Sequence, residues 1–312
     1  MSVAEPLGTP MAVLKMALPK GHLWGCTKEL MDRAGYGLRL ESERSYVVSS
    51  NDPDIEMRVY RAQNIPPLVE EGRCDVGITG HDWVVEHEAR VEEVLDLGVG
   101  RVRLVVAVPM SYGIEPSPSL EEVFKRLVER VRSEGKSSVV VASEYENLAR
   151  KVCVEGLRGY PFRLIRSYGA TEAFIEVADA IVEVTETGET LRRNGWEVVY
   201  EVLESTARLI ANRDSLRDPV KREKVEGLAM LLQAAKEAGG MKLLKMNVPA
   251  ALLDEVSSLL PAMKSPTVSR LLNGDYAVEV AVRSEEVVKL IPLLKRKGAS
   301  DILEIDLGKV VR

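Results

Sequence analysis

Cysteine is scarce in these 312 residues: Cys26, Cys74 and Cys153 stand far apart and form no C-x-x-C pair. Neither a disulfide framework nor a thiolate zinc site is supported, and a reducing cytoplasm fits best. Histidine is equally scarce, and His22, His81 and His87 have spacings that build no metal site. Nowhere do about 18 apolar residues run uninterrupted, so no segment has the length of a membrane-spanning helix. The opening MSVAEPLGTP lacks the positive and apolar regions of a secretory signal. Residues 1–10 read as a flexible tail before the first strand, and Met11 is a second candidate start. Glutamine is limited to Gln63 and Gln233 beside many Glu, Lys and Arg, which leans toward a heat-adapted source. Positive charge is in deficit too. A net charge of −6 argues against nucleic acid as a partner, although a local basic pocket can still take a phosphate-rich small molecule.

What is present is the composition of a soluble globular chain, 46% hydrophobic and 29% charged. Its length suits two or three domains of roughly 70 to 150 residues. VLKMAL (13–18) predicts a strand ending at Pro19-Lys20-Gly21-His22, and TKELMDRAG carries helical spacing to Gly35. EMRVYRA (56–62), NIPPLVEEG and CDVGITG (74–80) continue as strand, helix, strand, and this alternation predicts a parallel sheet. A second α/β unit starts at the Val-rich RVRLVVAVP (101–109). It runs through helix LEEVFKRLVERVRSEG, strand SSVVVAS, helix EYENLARKVCVEG, strand FRLIRSYG, helix ATEAFIEVA and strand DAIVEVT. Helix LRRNGW, strands EVVYEVL and ARLIANR, and a long helix from about Pro219 to Ala238 follow, ending at Gly239-Gly240. Beyond that boundary the pattern is β-α-β-β-α-β, a ferredoxin-like motif.

ADAIVEVTETGETL (178–191) holds the sharpest local signal. The chain leaves an apolar strand at Thr185, turns through Glu186-Thr187-Gly188-Glu189-Thr190 and enters a helix at Leu191. Such a turn aims backbone N–H groups, a helix dipole and two hydroxyls at one point, which suits a phosphate. Gly188 permits close approach without a clashing Cβ. The plain alternative is a Thr N-cap after a strand. Glu183, Glu186 and Glu189 would repel a phosphate unless they face ribose hydroxyls or a divalent metal; a phosphorylated sugar with magnesium satisfies all three demands.

The same stretch resembles the phosphoribosyl pyrophosphate loop of the ATP phosphoribosyltransferases, and the resemblance extends along nearly the whole chain. LPKGHL (18–23), RAQNIPPLV (61–69), DVGITGHDWV (75–84), RVRLVVAVP, ASEYENLARK (142–151) and ADAIVEVTETGETL fall in that family's order. NVP (247–249), SPT (265–267) and GAS (298–300) resemble the regulatory domain of the family's long form, which histidine inhibits. The implied fold is α/β: a two-lobed catalytic region like a type II periplasmic binding protein, closed by strands crossing between lobes, plus a C-terminal ferredoxin-like regulatory domain. Lobe I is expected from 11–103 with 207–240, lobe II from 104–206, and the regulatory domain from 241–312.

The implied reaction is the first step of histidine biosynthesis. N1 of the adenine of ATP joins C1 of the ribose of phosphoribosyl pyrophosphate, and pyrophosphate leaves with inversion. Thr187, Gly188, Glu189 and Thr190, with Glu186 beside them, match positions that receive the 5′-phosphate, and Glu183 matches the position facing the ribose hydroxyls, where the family usually has Asp. Lys20, Gly21, Arg61, Gly80, Asp82 and Tyr145 match nucleotide-binding positions; Lys20 and Arg61, with Glu183, are the catalytic candidates. Gln63 and Asn64 stand where the family often carries charge, and His22 and His81 lie in the predicted ligand-facing loops. Mg2+ is the implied cofactor, and spacing assigns no particular carboxylate to it. Asn247, Met263, Thr267 and Ala299 match positions contacting histidine. Asn247 replaces the usual Asp, which predicts weaker feedback because an amide offers no charge to a cation. The resemblance also implies dimers and hexamers. Two other readings compete: a cytoplasmic small-molecule binding or sensor protein of the same lobed fold, and a catalytically weak subunit that needs a partner protein.

Overall fold

The computed structural model describes residues 14–42, 45–260 and 265–312. The expected tail and the alternative start at Met11 lie outside the described residues. Two compact units divide the rest: one takes in the chain to Lys28 and Arg39–Val225, the other Glu29–Leu38 and Glu226–Arg312.

In chain order the elements are β1 (Leu14–Lys20), α1 (His22–Ala34), β2 (Arg39–Leu40), β3 (Val47–Ser49), β4 (Ile55–Arg61), α2 (Ile65–Glu70), β5 (Val76–Gly80), α3 (His81–Glu86) and β6 (Glu92–Asp96). Then come β7 (Val102–Pro109), α4 (Leu120–Ser133), β8 (Val139–Ser143), α5 (Glu146–Leu157), β9 (Phe162–Arg166), β10 (Ala180–Thr185), α6 (Glu189–Arg193), β11 (Trp196–Ser205), β12 (Ala207–Ala211) and α7 (Pro219–Gly239). The last are β13 (Met241–Val248), α8 (Leu253–Ser258), β14 (Thr267–Arg270), β15 (Tyr276–Arg283), α9 (Ser284–Arg296) and β16 (Ser300–Asp306).

The first unit contains two sheets. One orders its strands β2-β3-β4-β1-β5-β12-β6, the other β11-β7-β10-β8-β9. β5 is buried along its whole length and β7 nearly so, which is why both read as uninterrupted apolar runs. α4 shows the complementary pattern: Leu120, Val123, Phe124, Leu127 and Val131 recur at helical spacing and are buried, with Ser119 capping the start.

Neither sheet is purely parallel. β1 pairs in parallel with β4 and β5, but β12 runs antiparallel to β5 and β6, and β7 runs antiparallel to β10 and β11. The cause is the route of the chain. It leaves the first sheet after β6, builds the second, and returns through β11 into β12, so the returning strand enters in the opposite sense. The two crossings are paired: Leu97 N–H donates to Ala207 O and Ala207 N–H to Val99 O, both at 2.9 Å. The expected helix at 170–178 is instead a 3-10 turn, Thr171–Glu176, interrupted by a non-helical Phe174.

In the second unit the sheet order β14-β15-β13-β16 is antiparallel throughout, with a core of Leu244, Met246, Val278, Val280 and Leu294 under α8 and α9. This is the ferredoxin-like arrangement read from the sequence. Among the described residues no helix is long and apolar enough to cross a membrane.

Asp75, just before β5, ties the first sheet together. Its carboxylate accepts from Lys15 N–H (2.8 Å), Ser215 Oγ (2.6 Å) and Lys221 Nζ (2.6 Å). Burial raises its pKa, but the hydrogen bonds from Lys221, Ser215 and Lys15 outweigh that and hold it below the ordinary 3.8. Asp75→Ala is expected to cost about 3 kcal/mol, since it strands a lysine and a buried amide. A depressed folded-state pKa means the contribution is present above pH 3.8 and lost as pH falls through the folded value. Thermal midpoints of both proteins should therefore differ fully at pH 7 and converge in strong acid.

Candidate active site

The site builds up at the C-terminal ends of the parallel strands, where open α/β sheets leave backbone N–H groups and loops free to meet a ligand. β10 ends at Thr185, and the turn to α6 follows. Gly188 sits at φ +82°, a conformation that costs an ordinary L-residue strain, so the glycine is needed for the shape of the turn itself. Thr185 Oγ1 accepts from Gly188 N–H at 2.9 Å and Thr187 Oγ1 from Glu189 N–H at 3.3 Å, which fixes the loop. α6 has only five residues, so its dipole adds little, contrary to the sequence expectation; hydroxyls and loop backbone carry the anion-binding character.

This turn forms one wall of a cavity of about 500 Å³ lined by Glu183, Glu186, Thr187 and Thr190 from the second sheet's loops, by Glu144 and Glu172, and by His22 from the first sheet's side. Of the three carboxylates that posed the electrostatic problem, Glu189 is turned aside onto Arg193. Glu183 is 9% exposed. Burial, the largest effect, pushes its carboxyl up to about 7 against hydrogen bonds from Thr171 and the Val184 amide.

A second cavity of about 520 Å³ shares Glu144 with the first. Arg61, Arg166, Trp83 and Tyr168 are among its lining residues, together with the carboxylates of Glu86 and Glu146. Glu144 lies between cations: burial raises its pKa, while Arg61 and Arg166 pull it down. Tyr168 is 80% exposed and lies 5.3 Å from the Arg166 guanidinium, an aromatic face at the rim. One cavity is thus acidic and hydroxyl-rich, the other is mixed in charge and carries two arginines and two aromatic rings, and they meet at one carboxylate.

A model of the ATP phosphoribosyltransferase family matches residues 61–234, and a model of the HisG C-terminal domain matches residues 238–309. The ATP phosphoribosyltransferase of Pelotomaculum thermopropionicum is 43% identical over 96% of this chain and 99% of its own length. The chain belongs to the ATP phosphoribosyltransferase family. Its members are pentosyltransferase enzymes. The ATP phosphoribosyltransferase of Chlorobium luteolum is 42% identical over 96% of this chain and 98% of its own. Among solved structures, the ATP phosphoribosyl transferase (HisG:HisZ) complex from Thermotoga maritima superposes with a TM-score of 0.56 at 26% identity, covering 70% of this chain and 96% of that one.

Against the positions carried over from the family, Glu183, Glu186, Thr187 and Thr190 line the acidic cavity, and Arg61 lines the second one. Lys20 and Gly21 line neither; the Lys20 ammonium lies 5.3 Å from the Tyr46 ring, and the next residue, His22, reaches the acidic cavity. His81 is held by Glu93 at 3.0 Å, and the histidine in the second cavity is His87. Asp82 and Tyr145 are 4% and 1% exposed and bond to each other at 2.5 Å, next in the chain to Trp83, Glu144 and Glu146 of the second cavity's wall. Gly80 makes that possible, because a Cβ there would sit on the Asp82 carboxylate. In the second unit Asn247 Nδ2 donates to Asp301 Oδ2 at 2.9 Å; Thr267 is two strands away on the same face, Ala299 is buried, and Met263 lies outside the described residues. Glu144 and Arg166 escaped the sequence reading although both stand at or just beyond strand ends, the rule that singled out Arg61.

The donors present are hard oxygens, which fit Mg2+. Among the described residues no group of three or more His, Cys, Asp or Glu is gathered to hold a metal alone, so the fit is to a cation brought with phosphate oxygens and water as its main ligands.

Glu183 generates a pH prediction. A raised folded-state pKa means the native chain binds more protons than the unfolded one between the ordinary 4.5 and about 7, so stability falls as pH rises across that window. The loss should approach about 3 kcal/mol. Melting the wild type and Glu183→Gln from pH 5 to 8 should show this slope in the first and a flatter profile in the second.

Proposed function

We propose that the protein joins N1 of the adenine of ATP to C1 of phosphoribosyl pyrophosphate, releasing pyrophosphate with inversion as the first step of histidine biosynthesis. The carrying observation is the pair of cavities meeting at Glu144, one acidic and lined by hydroxyls, the other carrying Arg61 and Arg166 beside the aromatic rings of Trp83 and Tyr168. The phosphoribosyl group occupies the first. Thr187, Gly188, Glu189 and Thr190 receive its 5′-phosphate, with Glu186 beside them, and Glu183 accepts from the ribose hydroxyls. ATP occupies the second, where Arg61 and Arg166 meet phosphates; Lys20 and Gly21, at the end of β1, are the further phosphate-binding candidates that the family resemblance implies.

The C1–O bond breaks with its electron pair leaving on pyrophosphate, the N1 lone pair forms the new bond to C1, and a proton leaves the adenine amino group for water. The transition state is oxocarbenium-like, so catalysis rests on holding two anions at one angle and on charge placed where it develops. Bound Mg2+ supplies neutralisation of the departing pyrophosphate. Glu183 faces the ribose, and its ionised form places negative charge where positive charge grows. No covalent intermediate is needed. The protein acts in the cytoplasm as a homo-oligomer, a dimer or hexamer.

Histidine binds the C-terminal unit as feedback inhibitor, through Asn247, Met263, Thr267 and Ala299. The hydrogen bond between Asn247 and Asp301 supports one change to the expectation drawn from sequence: the carboxylate absent at 247 stands across the strand pair at 301, available to the ligand's ammonium or imidazolium. Weakened feedback is then not expected.

Mixing the protein with ATP, phosphoribosyl pyrophosphate and Mg2+ should yield phosphoribosyl-ATP and pyrophosphate. Gly188→Val, which forces a β-branched residue to positive φ, should lower the rate by about 100-fold or more while leaving the circular dichroism unchanged. Failure of the wild type to turn over despite binding phosphoribosyl pyrophosphate would favour the sensor or the partner-dependent subunit. In the same assay Asp301→Asn should raise the inhibitory histidine concentration about tenfold or more with kcat unchanged, the loss of a charge-assisted bond. An unaltered inhibition curve removes Asp301 from the site.

A further inference from the structure

Asp82, Tyr145 and Glu86 are each more than nine-tenths buried; Asp82 and Tyr145 match nucleotide-binding positions of the family, yet no chemical step above uses any of the three. All three lie where the two lobes of the first unit meet, at the cavity that holds Arg61 and Arg166. Asp82, Trp83 and Glu86 sit on α3, which follows the first sheet; Tyr145 precedes α5, which packs with the second.

The contacts across this seam are specific. Tyr145 Oη donates to Asp82 Oδ2, and Ser205 Oγ, from the strand returning toward the first sheet, donates to Asp82 Oδ1, both at 2.5 Å. Trp83 stacks on Tyr145 with ring centroids 4.1 Å apart and planes inclined by 19°. The Glu86 carboxylate accepts from the Asn147 and Leu148 amides at 2.9 Å each, capping α5 from the opposite lobe, and Asn147 Nδ2 returns a bond to Glu86 O. A carboxylate over the first turn of a 12-residue helix is favoured by the exposed amides and the dipole together.

Among the described residues the chain passes between the sheets only twice, through the paired stretches near 97–102 and 205–207. Two short crossings leave rotation about them soft, so the angle is set by whatever bonds form away from the axis. We propose that α3 and the first turn of α5 form a clasp that fixes this angle, with Asp82 and Tyr145 as positioning residues behind the nucleotide cavity and Glu86 as the wall residue that ties the two lobes together. Trp83, Glu86 and Asn147 line that cavity, so it is complete only with the clasp shut. The clasp also reaches the acidic cavity: Tyr145 N–H donates to Ser143 Oγ (2.9 Å), which donates to Val182 O (2.6 Å), the residue before Glu183.

The test uses the full chain with spin labels on Arg73→Cys and Val154→Cys, exposed positions of the first and second lobe, in a Cys26→Ser background. Double electron–electron resonance then reads the lobe-to-lobe distance without substrate. Tyr145→Phe keeps the stack and deletes the hydrogen bond; Glu86→Gln removes the charge on α5. Each should broaden or shift the ligand-free distance distribution, and saturating ATP should restore it. The kinetic arm rests on the function proposed above: KM for ATP should rise about tenfold with kcat held within about threefold, because only the closed fraction binds. An unchanged distance distribution overturns the clasp. So does a collapse of kcat at unchanged distance, which would make these residues substrate contacts. Should Tyr145→Phe not fold, Glu86→Gln alone decides. An inactive wild type would refute the proposed reaction and leave the distance measurement standing.

Discussion

A carboxylate taken out of water must find partners or give up its charge, and Asp82 finds its partners in three parts of the chain. Its own helix places it at the seam, Tyr145 approaches from the other lobe, and Ser205 approaches from the strand that returns between them. The geometry of the cavities depends on this meeting. If the lobes rotate apart, Asp82 loses the phenol and Glu86 loses two amides, leaving buried groups unpaired. Such losses cost more than an exposed ion pair, worth little in water, so the closed arrangement is held by a few buried bonds and not by the surface pairs around it.

The same rule explains how an acidic protein accommodates anionic substrates. The acidic cavity alone repels phosphate. Glu189 is neutralised by Arg193, Glu183 is driven toward its uncharged form by burial, and Glu144 is flanked by Arg61 and Arg166. What remains is a surface of hydroxyls and oxygen acceptors suited to a sugar and a magnesium-bearing pyrophosphate. The net charge of −6 therefore says little about the site; the arrangement of four or five side chains says nearly everything.

The sequence was most legible where burial acts on both faces of an element. β5, β7 and β10 announced themselves as apolar runs, and the β-α-β-β-α-β order of the second unit was complete. It was least legible where pairing alone makes the strand: β2 and β3 are two and three residues long, and β6, EEVLD, is mostly acidic with no apolar alternation. Strand direction was hidden as well, because β12 reads as a strand whichever way it runs; the return from the second sheet makes it antiparallel. In the site, the turn at 185–190 was readable because its glycine and hydroxyls are local. Glu86 and Ser205 were not, because their partners lie 61 and 123 residues away.

Position 247 shows why one substitution is a poor guide to a site. The amide there removes a charge, and taken alone it implies a weaker grip on a cation. Across the β13–β16 pair, however, Asp301 bonds that amide, and the backbone at 301 takes φ +48°, a conformation Asp tolerates better than most residues. The charge at this corner is therefore a property of the strand pair. A ligand cation meeting Asp301 would also meet an amide already oriented by it, whereas two aspartates at 247 and 301 would repel each other and raise the cost of ionising both.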